Sequence, residues 1–153
     1  MPTILCVDDQ LEALTIRKLL LETKGYTVST ASSGDNGLDA LANGDFDAVI
    51  LDYSMPDRDG EEIAREIKSR WPNLPVIMLS GYPEVPPSAM DVADAFIVKG
   101  SSPNDLLETL ENLTGQKPAP RTSMTVERSR EIMTRSKELL ASLDRNRKPH
   151  RVK

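Results

Sequence analysis

Five short apolar runs alternate with helical patterns along the first 115 residues, and this alternation restricts the possible folds more than any other feature. The runs are rich in Val, Ile and Leu and are bounded by turn residues, as buried parallel strands are. We predict strands at residues 3–7, 26–30, 47–51, 75–79 and 95–98. Apolar residues at helical spacing predict helices at residues 10–24, 35–42, 61–71 and 103–113, with at most a short helix near 88–92. This order predicts an α/β fold, a doubly wound five-stranded parallel sheet with helices on both faces.

Polar residues follow four of the five predicted strands. Asp8 and Asp9 follow the first strand, Asp52 the third, Ser80 the fourth and Lys99 the fifth. The carboxyl ends of parallel strands meet at one edge of a sheet, so we expect these residues to lie together. A cluster of carboxylates is costly without a cation, and Mg²⁺ prefers oxygen ligands of this kind.

The same residue types suit the transfer of a phosphoryl group. With a metal in place, one carboxylate can stay ionised and act as a nucleophile. A hydroxyl such as that of Ser80 and an ammonium such as that of Lys99 can hold the phosphoryl oxygens. The sequence therefore favours a phosphoryl-transfer site at this edge of the sheet.

Each of these residues also has an ordinary structural interpretation. Asp9 could cap the helix that begins near residue 10, and Asp52 could be a turn carboxylate. Ser80 could be a strand-to-loop residue and Lys99 a solvated lysine. A shared site is favoured because all four ordinary interpretations would have to coincide at the ends of four strands.

Charge divides the chain into two parts. The net charge is −5, but residues 1–115 carry 8 basic and 20 acidic side chains, whereas residues 116–153 carry 11 basic and 4 acidic ones. A stretch rich in glycine and proline at residues 115–120 marks the break. We predict a domain at residues 1–115, a linker at 116–123, an amphipathic helix at 124–145 and a disordered basic tail at 146–153.

The chain has one cysteine and no long apolar stretch. Cys6 lies inside the first apolar run and is predicted to be a buried small hydrophobic residue, with no intrachain disulfide. No segment has the length of a membrane span, and no secretion signal is visible. We therefore expect a cytoplasmic protein.

Four motifs in combination resemble the response-regulator receiver domain of two-component signalling, over about residues 2–114. They are Val7-Asp8-Asp9, residues 51–60 (LDYSMPDRDG), Leu79-Ser80-Gly81 and residues 96–99 (FIVK). The resemblance implies a flavodoxin-like sheet with strand order 2-1-3-4-5, followed here by a C-terminal helix.

The resemblance also implies a role for each site residue. Asp52 would be the phosphoacceptor and a ligand of Mg²⁺, Asp9 would bind the metal directly and Asp8 through water. The backbone carbonyl of Ser54 would be a further ligand. Lys99 would pair with the acyl phosphate.

Switching would involve Ser80 and Phe96. By resemblance, the Ser80 hydroxyl moves toward the phosphoryl group and Phe96 turns inward on activation. The ordinary interpretation of Phe96 is a core residue of the fifth strand, and both can hold. Two features depart from the family pattern: Gly100 follows Lys99 where the family usually has proline, and the segment between Ser80 and Lys99 is short and rich in proline.

The implied function is Mg²⁺-dependent acceptance of a phosphoryl group on Asp52 from a histidine kinase or a phosphotransfer protein. The chain would be a signalling protein of the single-domain type that switches contacts with a downstream protein. It would not be an enzyme that acts on a separate substrate. One alternative is a receiver-like interaction module that does not use phosphorylation. Another is a Mg²⁺-dependent phosphatase with an aspartate nucleophile. It ranks lower because Ser54 stands where such enzymes usually carry a second aspartate.

The C-terminal helix leaves three possibilities open. Val126, Met133 and Leu140 repeat every seven residues and form its apolar stripe. The helix could be solvated and partly docked on the acidic domain, or it could bind a partner or a second copy of the chain. Its positive charge invites a nucleic-acid interpretation, but specific DNA binding is disfavoured because no second helix and no aromatic residue accompanies it.

Overall fold

The computed structural model of the protein describes residues 2–56 and 58–115. The strands are β1 (Thr3–Val7), β2 (Thr27–Ala31), β3 (Ala48–Asp52), β4 (Val76–Ser80) and β5 (Ala95–Val98). The helices are α1 (Leu11–Thr23), α2 (Gly34–Asn43), α3 (Gly60–Arg70), α4 (Pro87–Asp91) and α5 (Pro103–Thr114). The linker, helix and tail predicted for residues 116–153 lie outside the described residues. No helix in the described ranges is long and apolar enough to cross a membrane.

All neighbouring strands are parallel, in the order β2-β1-β3-β4-β5. This confirms the predicted doubly wound sheet. The second, third and fourth strands begin and end one residue later than predicted, so Asp52 and Ser80 are the last residues of β3 and β4. Backbone pairing extends the strands to these residues, because Tyr53 N–H donates to the Leu79 carbonyl (2.8 Å) and Lys99 N–H donates to the Ser80 carbonyl (2.6 Å).

The sheet is covered on both faces, as its continuous apolar strands predict. One set of strand side chains, including Cys6, packs with residues of α1 and α5. The alternate set packs with residues of α2, α3 and α4. Burial of Cys6, which is fully inaccessible, confirms the interpretation of this cysteine as a core residue.

Three of the five described helices, α2, α3 and α5, begin at a short polar side chain that accepts a backbone hydrogen bond. Asp59 caps α3 by accepting from Glu62 N–H at 2.8 Å. The cap position of α1 is Gln10, which makes no side-chain capping bond, so the interpretation of Asp9 as a helix cap is wrong. The single-turn helix α4 confirms the prediction of a short fourth helix, since the prolines of this segment leave little room for more.

Candidate functional site

Three carboxylates meet at the carboxyl edge of the sheet. Asp8 and Asp9 follow β1, and Asp52 ends β3, the strand paired with β1. Each offers one oxygen, and the three oxygens lie within 4.8 Å of one another. Asp8 and Asp52 are buried, at 0% and 2% exposure, whereas Asp9 faces solvent. The adjacency of β1 and β3 therefore produces the cluster that the strand ends predicted.

Lys99 brings a positive charge to this cluster from the end of β5. Its Nζ lies 3.0 Å from Oδ1 of Asp52 and 3.5 Å from Oδ2 of Asp8. The lysine side chain is partly shielded, so both contacts are stronger than those of a surface pair. The solvated-lysine interpretation of Lys99 does not fit these contacts.

Arg17 is a second cation at the cluster, and the sequence interpretation missed it. Its Nη2 lies 3.5 Å from Oδ2 of Asp8, and its side chain is only 11% exposed. Arg17 lies on α1 between Leu14 and Leu21, which are both buried. The spacings of three and four residues place all three on one helix face, so a charged residue on this apolar stripe was the available signal.

Burial and the charge of Asp8 raise the pKa of the Asp52 carboxyl from 3.8 to about 6. The hydrogen bond and positive charge of Lys99 act in the opposite direction and limit the rise. Asp52 also accepts a hydrogen bond from the N–H of Ser54 at 3.3 Å, so the turn interpretation of this carboxylate holds alongside the cluster. Ser54 itself lies on the exposed turn directly after β3.

Ser80 lies next to the cluster, at the end of β4, and is 1% exposed. Its hydroxyl oxygen accepts a hydrogen bond from the N–H of Tyr82 at 3.0 Å, which orders the start of the following loop. A hydroxyl that accepts in this way keeps its own proton available for donation. Ser80 is thus a buried donor at the same edge of the sheet as Asp52.

Phe96 lies on β5 and is half-buried against the core face that α2, α3 and α4 cover. Its ring centre is 6.5 Å from that of Tyr53, the residue after Asp52, with the rings tilted by 59°. Such a tilted arrangement is favourable for aromatic pairs. The pair links the chain beside Asp52 to the fifth strand.

Glycines shape the two loops that flank the cluster. A Cβ on Gly60 would lie 2.4 Å from the Asp52 carbonyl oxygen and 2.7 Å from the Tyr53 Cα, so only glycine lets α3 begin this close to β3. Gly100 has φ of +90°, a conformation that proline cannot adopt. The β5–α5 loop therefore follows a path that the usual proline would forbid.

The donor set fits a hard divalent cation. Asp8 Oδ2 is buried and accepts no hydrogen bond among the described residues, although two cations lie 3.5 Å away. A buried carboxylate oxygen without a hydrogen bond is costly, and a metal ion or one of its water ligands would satisfy it. Asp9 and Asp52 complete a set of oxygen ligands of the kind that Mg²⁺ binds.

The comparisons with known proteins agree with this geometry. The sequence signature of the family described as response regulator receiver domain matches residues 4–111. The transcriptional regulatory protein GlrR of Escherichia coli is 34% identical over 148 residues, which are 94% of this chain and 32% of GlrR. The chain spans between 32% and 50% of the length of the first curated relatives it matches.

Solved structures agree in the same region. The response regulator TrrA of Thermotoga maritima, solved in complex with Mg²⁺-BeF, is 33% identical with a TM-score of 0.70, covering 74% of this chain and 99% of TrrA. TrrA in complex with the histidine kinase ThkA is 32% identical with a TM-score of 0.69, covering 74% and 98%. Because strand order, strand-end carboxylates and these likenesses coincide, the chain belongs to the family of response regulator receiver domains.

Proposed function

We propose that this receiver domain accepts a phosphoryl group on Asp52 from a histidine kinase or a phosphotransfer protein. The observation that carries the proposal is the placement of Asp52. Its carboxylate is buried at the end of β3, 3.0 Å from the ammonium of Lys99 and next to the carboxylates of Asp8 and Asp9. The complex of TrrA with ThkA supports a histidine kinase as the donor.

The residues divide the work of transfer among them. An oxygen of Asp52 attacks phosphorus, the bond between phosphorus and the donor nitrogen breaks, and its electron pair stays with the donor imidazole, which then takes a proton. Lys99 balances negative charge on the transferred group, since its ammonium already lies at Asp52. Asp9, Asp52 and the Ser54 carbonyl would hold Mg²⁺ directly and Asp8 through water, and the ion would supply positive charge that screens the nucleophile from the phosphoryl oxygens.

The same residues suggest how the phosphoryl group changes the surface. Phosphorylation adds about −1.5 to −2 charges at a buried strand end. The Ser80 hydroxyl can donate a hydrogen bond to the phosphoryl group. If Ser80 moves to do so, it would disturb the loop that the hydrogen bond from Tyr82 N–H to its oxygen orders. Phe96, half-buried beside Tyr53, is the aromatic residue positioned to repack in response.

The proposal is tested by intact mass measurement after incubation with Mg²⁺ and acetyl phosphate. We expect the gain of one phosphoryl group in the wild-type chain and none in Asp52→Asn, which keeps nearly the same shape but has a far weaker nucleophile. Asp45→Asn, which alters an exposed carboxylate away from the cluster, is the matched control and should label normally. Full labelling of Asp52→Asn would remove Asp52 from this role.

Two observations keep a second function in view, namely a receiver-like interaction module that works without phosphorylation. Gly100 gives the loop after Lys99 a path closed to proline, and α4 has only five residues. A wild-type chain that binds Mg²⁺ but is labelled neither by acetyl phosphate nor by a panel of histidine kinases would favour this module.

A further inference from the structure

Arg17 is a largely shielded charge that the phosphoacceptor chemistry described above does not use. Its side chain is 11% exposed and lies on the core-facing side of α1, between Leu14 and Leu21. A guanidinium is always charged, and its burial is costly without an acidic partner. The acidic contact of Arg17 is Asp8, through Nη2 and Oδ2 at 3.5 Å.

The contact leaves both partners incompletely satisfied. Nη1 of Arg17 is buried and makes no hydrogen bond among the described residues, and the same holds for Oδ2 of Asp8. Asp8 is fully buried, and its other oxygen accepts from the N–H of Gln10 at 3.0 Å. The contact between Arg17 and Asp8 is therefore a charge interaction that lacks the hydrogen bonds that would make it strong.

Arg17 and a metal ion would act on the same carboxylate. Asp8 belongs to the oxygen set that fits Mg²⁺, together with Asp9 and Asp52. Two positive charges on one buried carboxylate repel each other, and screening by salt is weak there. Arg17 would thus neutralise Asp8 without metal and oppose the metal when it arrives.

We propose that Arg17 is a positioning residue that acts through Asp8, as a resident cation that keeps the carboxylate cluster folded without Mg²⁺ and weakens Mg²⁺ binding. The inference rests on the proposed function, because it takes Asp8, Asp9 and Asp52 as the metal site. Lys99 touches the same Asp8 oxygen but also contacts Asp52 and belongs to the transfer chemistry. Arg17 contacts the cluster through Asp8 alone among the described residues, so its charge can be removed while the other groups stay.

The test is Mg²⁺ titration by calorimetry at mildly alkaline pH, together with thermal melting with and without Mg²⁺. Arg17→Met and Arg17→Gln both remove the charge; glutamine retains a polar group and methionine does not. If one of the two variants fails to fold, the other still tests the proposal. We expect both to bind Mg²⁺ at least about tenfold more tightly, because deleting a unit charge several ångströms from a divalent ion has an effect of this size even at the dielectric constant of water. Both should melt at a lower temperature without Mg²⁺, and Mg²⁺ should narrow that deficit.

Two control variants separate charge from general damage. Arg17→Lys keeps the charge and should retain the wild-type affinity for Mg²⁺. Lys18→Met removes a charge from the next position of the same helix, where the side chain is 43% exposed and lies 3.9 Å from Glu22. It should change neither the Mg²⁺ affinity nor the response of the melting temperature to Mg²⁺.

Equal or weaker Mg²⁺ binding in Arg17→Met and Arg17→Gln would overturn the proposal and leave Arg17 a merely structural residue. Tighter binding in Arg17→Lys, to the same extent as in the neutral variants, would also overturn it, since charge would then not be the cause. These outcomes are distinct from failure of the proposed function. A wild-type chain that binds Mg²⁺ but is never phosphorylated refutes the phosphoacceptor, whereas one that binds no Mg²⁺ refutes the metal site itself.

Discussion

The ionised form of Asp52 that phosphoryl transfer needs lowers the stability of the fold. Burial and the neighbouring charge of Asp8 raise the pKa of its carboxyl to about 6, above the value of 3.8 for an ordinary aspartate. A carboxyl with a raised pKa in the folded chain favours folding only in its protonated form. Its relative stabilisation is present below about pH 4, is lost as the pH rises toward about 6, and is absent at neutral pH. The nucleophile is therefore ionised at neutral pH at the expense of stability.

Asp52→Asn should be more stable than the wild-type chain when Mg²⁺ is removed with a chelator. The expected gain in the free energy of unfolding at pH 7 is about 1–3 kcal/mol, from the size of the pKa rise. The gain should shrink below about pH 6 and vanish near pH 4, where the wild-type carboxyl is protonated too. Urea denaturation at a series of pH values measures this, with Asp45→Asn as the exposed control. A gain of the same size at every pH would show that charge is not its source.

Single residues differ in how visible they are in the sequence. Asp8, Asp52 and Lys99 could be found because each stands directly after an apolar run, and parallel strands bring such positions to one edge. Arg17 is harder to find, because helical periodicity identifies the apolar stripe of α1 but assigns no role to a charged residue on it. Its contact with Asp8 depends on how α1 packs against the sheet, which its spacing from Leu14 and Leu21 suggests but does not fix.

At the scale of elements, the junction between β3 and α3 positions the site. The N–H of Gly60 donates to the Tyr53 carbonyl at 2.7 Å, and Asp59 caps the helix. This bond draws the first turn of α3 against the end of β3. A Cβ on Gly60 would collide with the Asp52 carbonyl oxygen. The start of α3 therefore packs directly against the backbone of Asp52 and fixes its position.

Gly60→Ala should destabilise the fold by about 1–3 kcal/mol, which is typical of an added methyl group in a closed space. Alanine favours helices by up to about 1 kcal/mol over glycine, but that gain is smaller than the cost of the clash at 2.4 Å with backbone. Labelling of Asp52 by acetyl phosphate should also slow, since β3 and α3 must move apart. Chemical denaturation and a labelling time course measure the two effects.

Gly81→Ala is the control for the stability effect, because a Cβ at that position meets no atom within 4 Å. We expect its free energy of unfolding to change by less than about 0.5 kcal/mol. If Gly60→Ala were as stable as Gly81→Ala, the close approach of α3 to β3 would not constrain this junction.

Element types were easier to predict than element ends. Alternation of apolar runs and helical stripes identified all five strands and the short α4. The strand ends moved by one residue at Asp52 and Ser80 because the backbone of the neighbouring strand decides where pairing stops. That information lies in another segment of the chain, so local sequence does not contain it.

At the scale of the whole molecule, periodicity predicts a sheet covered on both faces but not the order of its strands. The three interior strands, β1, β3 and β4, are apolar on both sides, so their patterns do not indicate which strands lie next to them. The order 2-1-3-4-5 came from the resemblance to receiver domains, and the structure confirms it. The predicted C-terminal helix at residues 124–145 stays a prediction.

Cys6 offers a probe of how the whole domain opens. It is the only cysteine of the chain, lies on the interior strand β1 between β2 and β3 and is fully buried, and burial raises the pKa of its thiol to about 12. Since the thiolate is the reactive form, we expect a thiol reagent to modify the native chain only through unfolding. Mg²⁺ binds beside the end of β1 in the proposed site, so it should slow modification by the factor with which it stabilises the folded state. Ellman's reagent at pH 8 measures the rate, with and without Mg²⁺ and with urea-unfolded chain as the reference. Modification of the native chain at the unfolded rate would mean that β1 is accessible in the folded state, contrary to the structure.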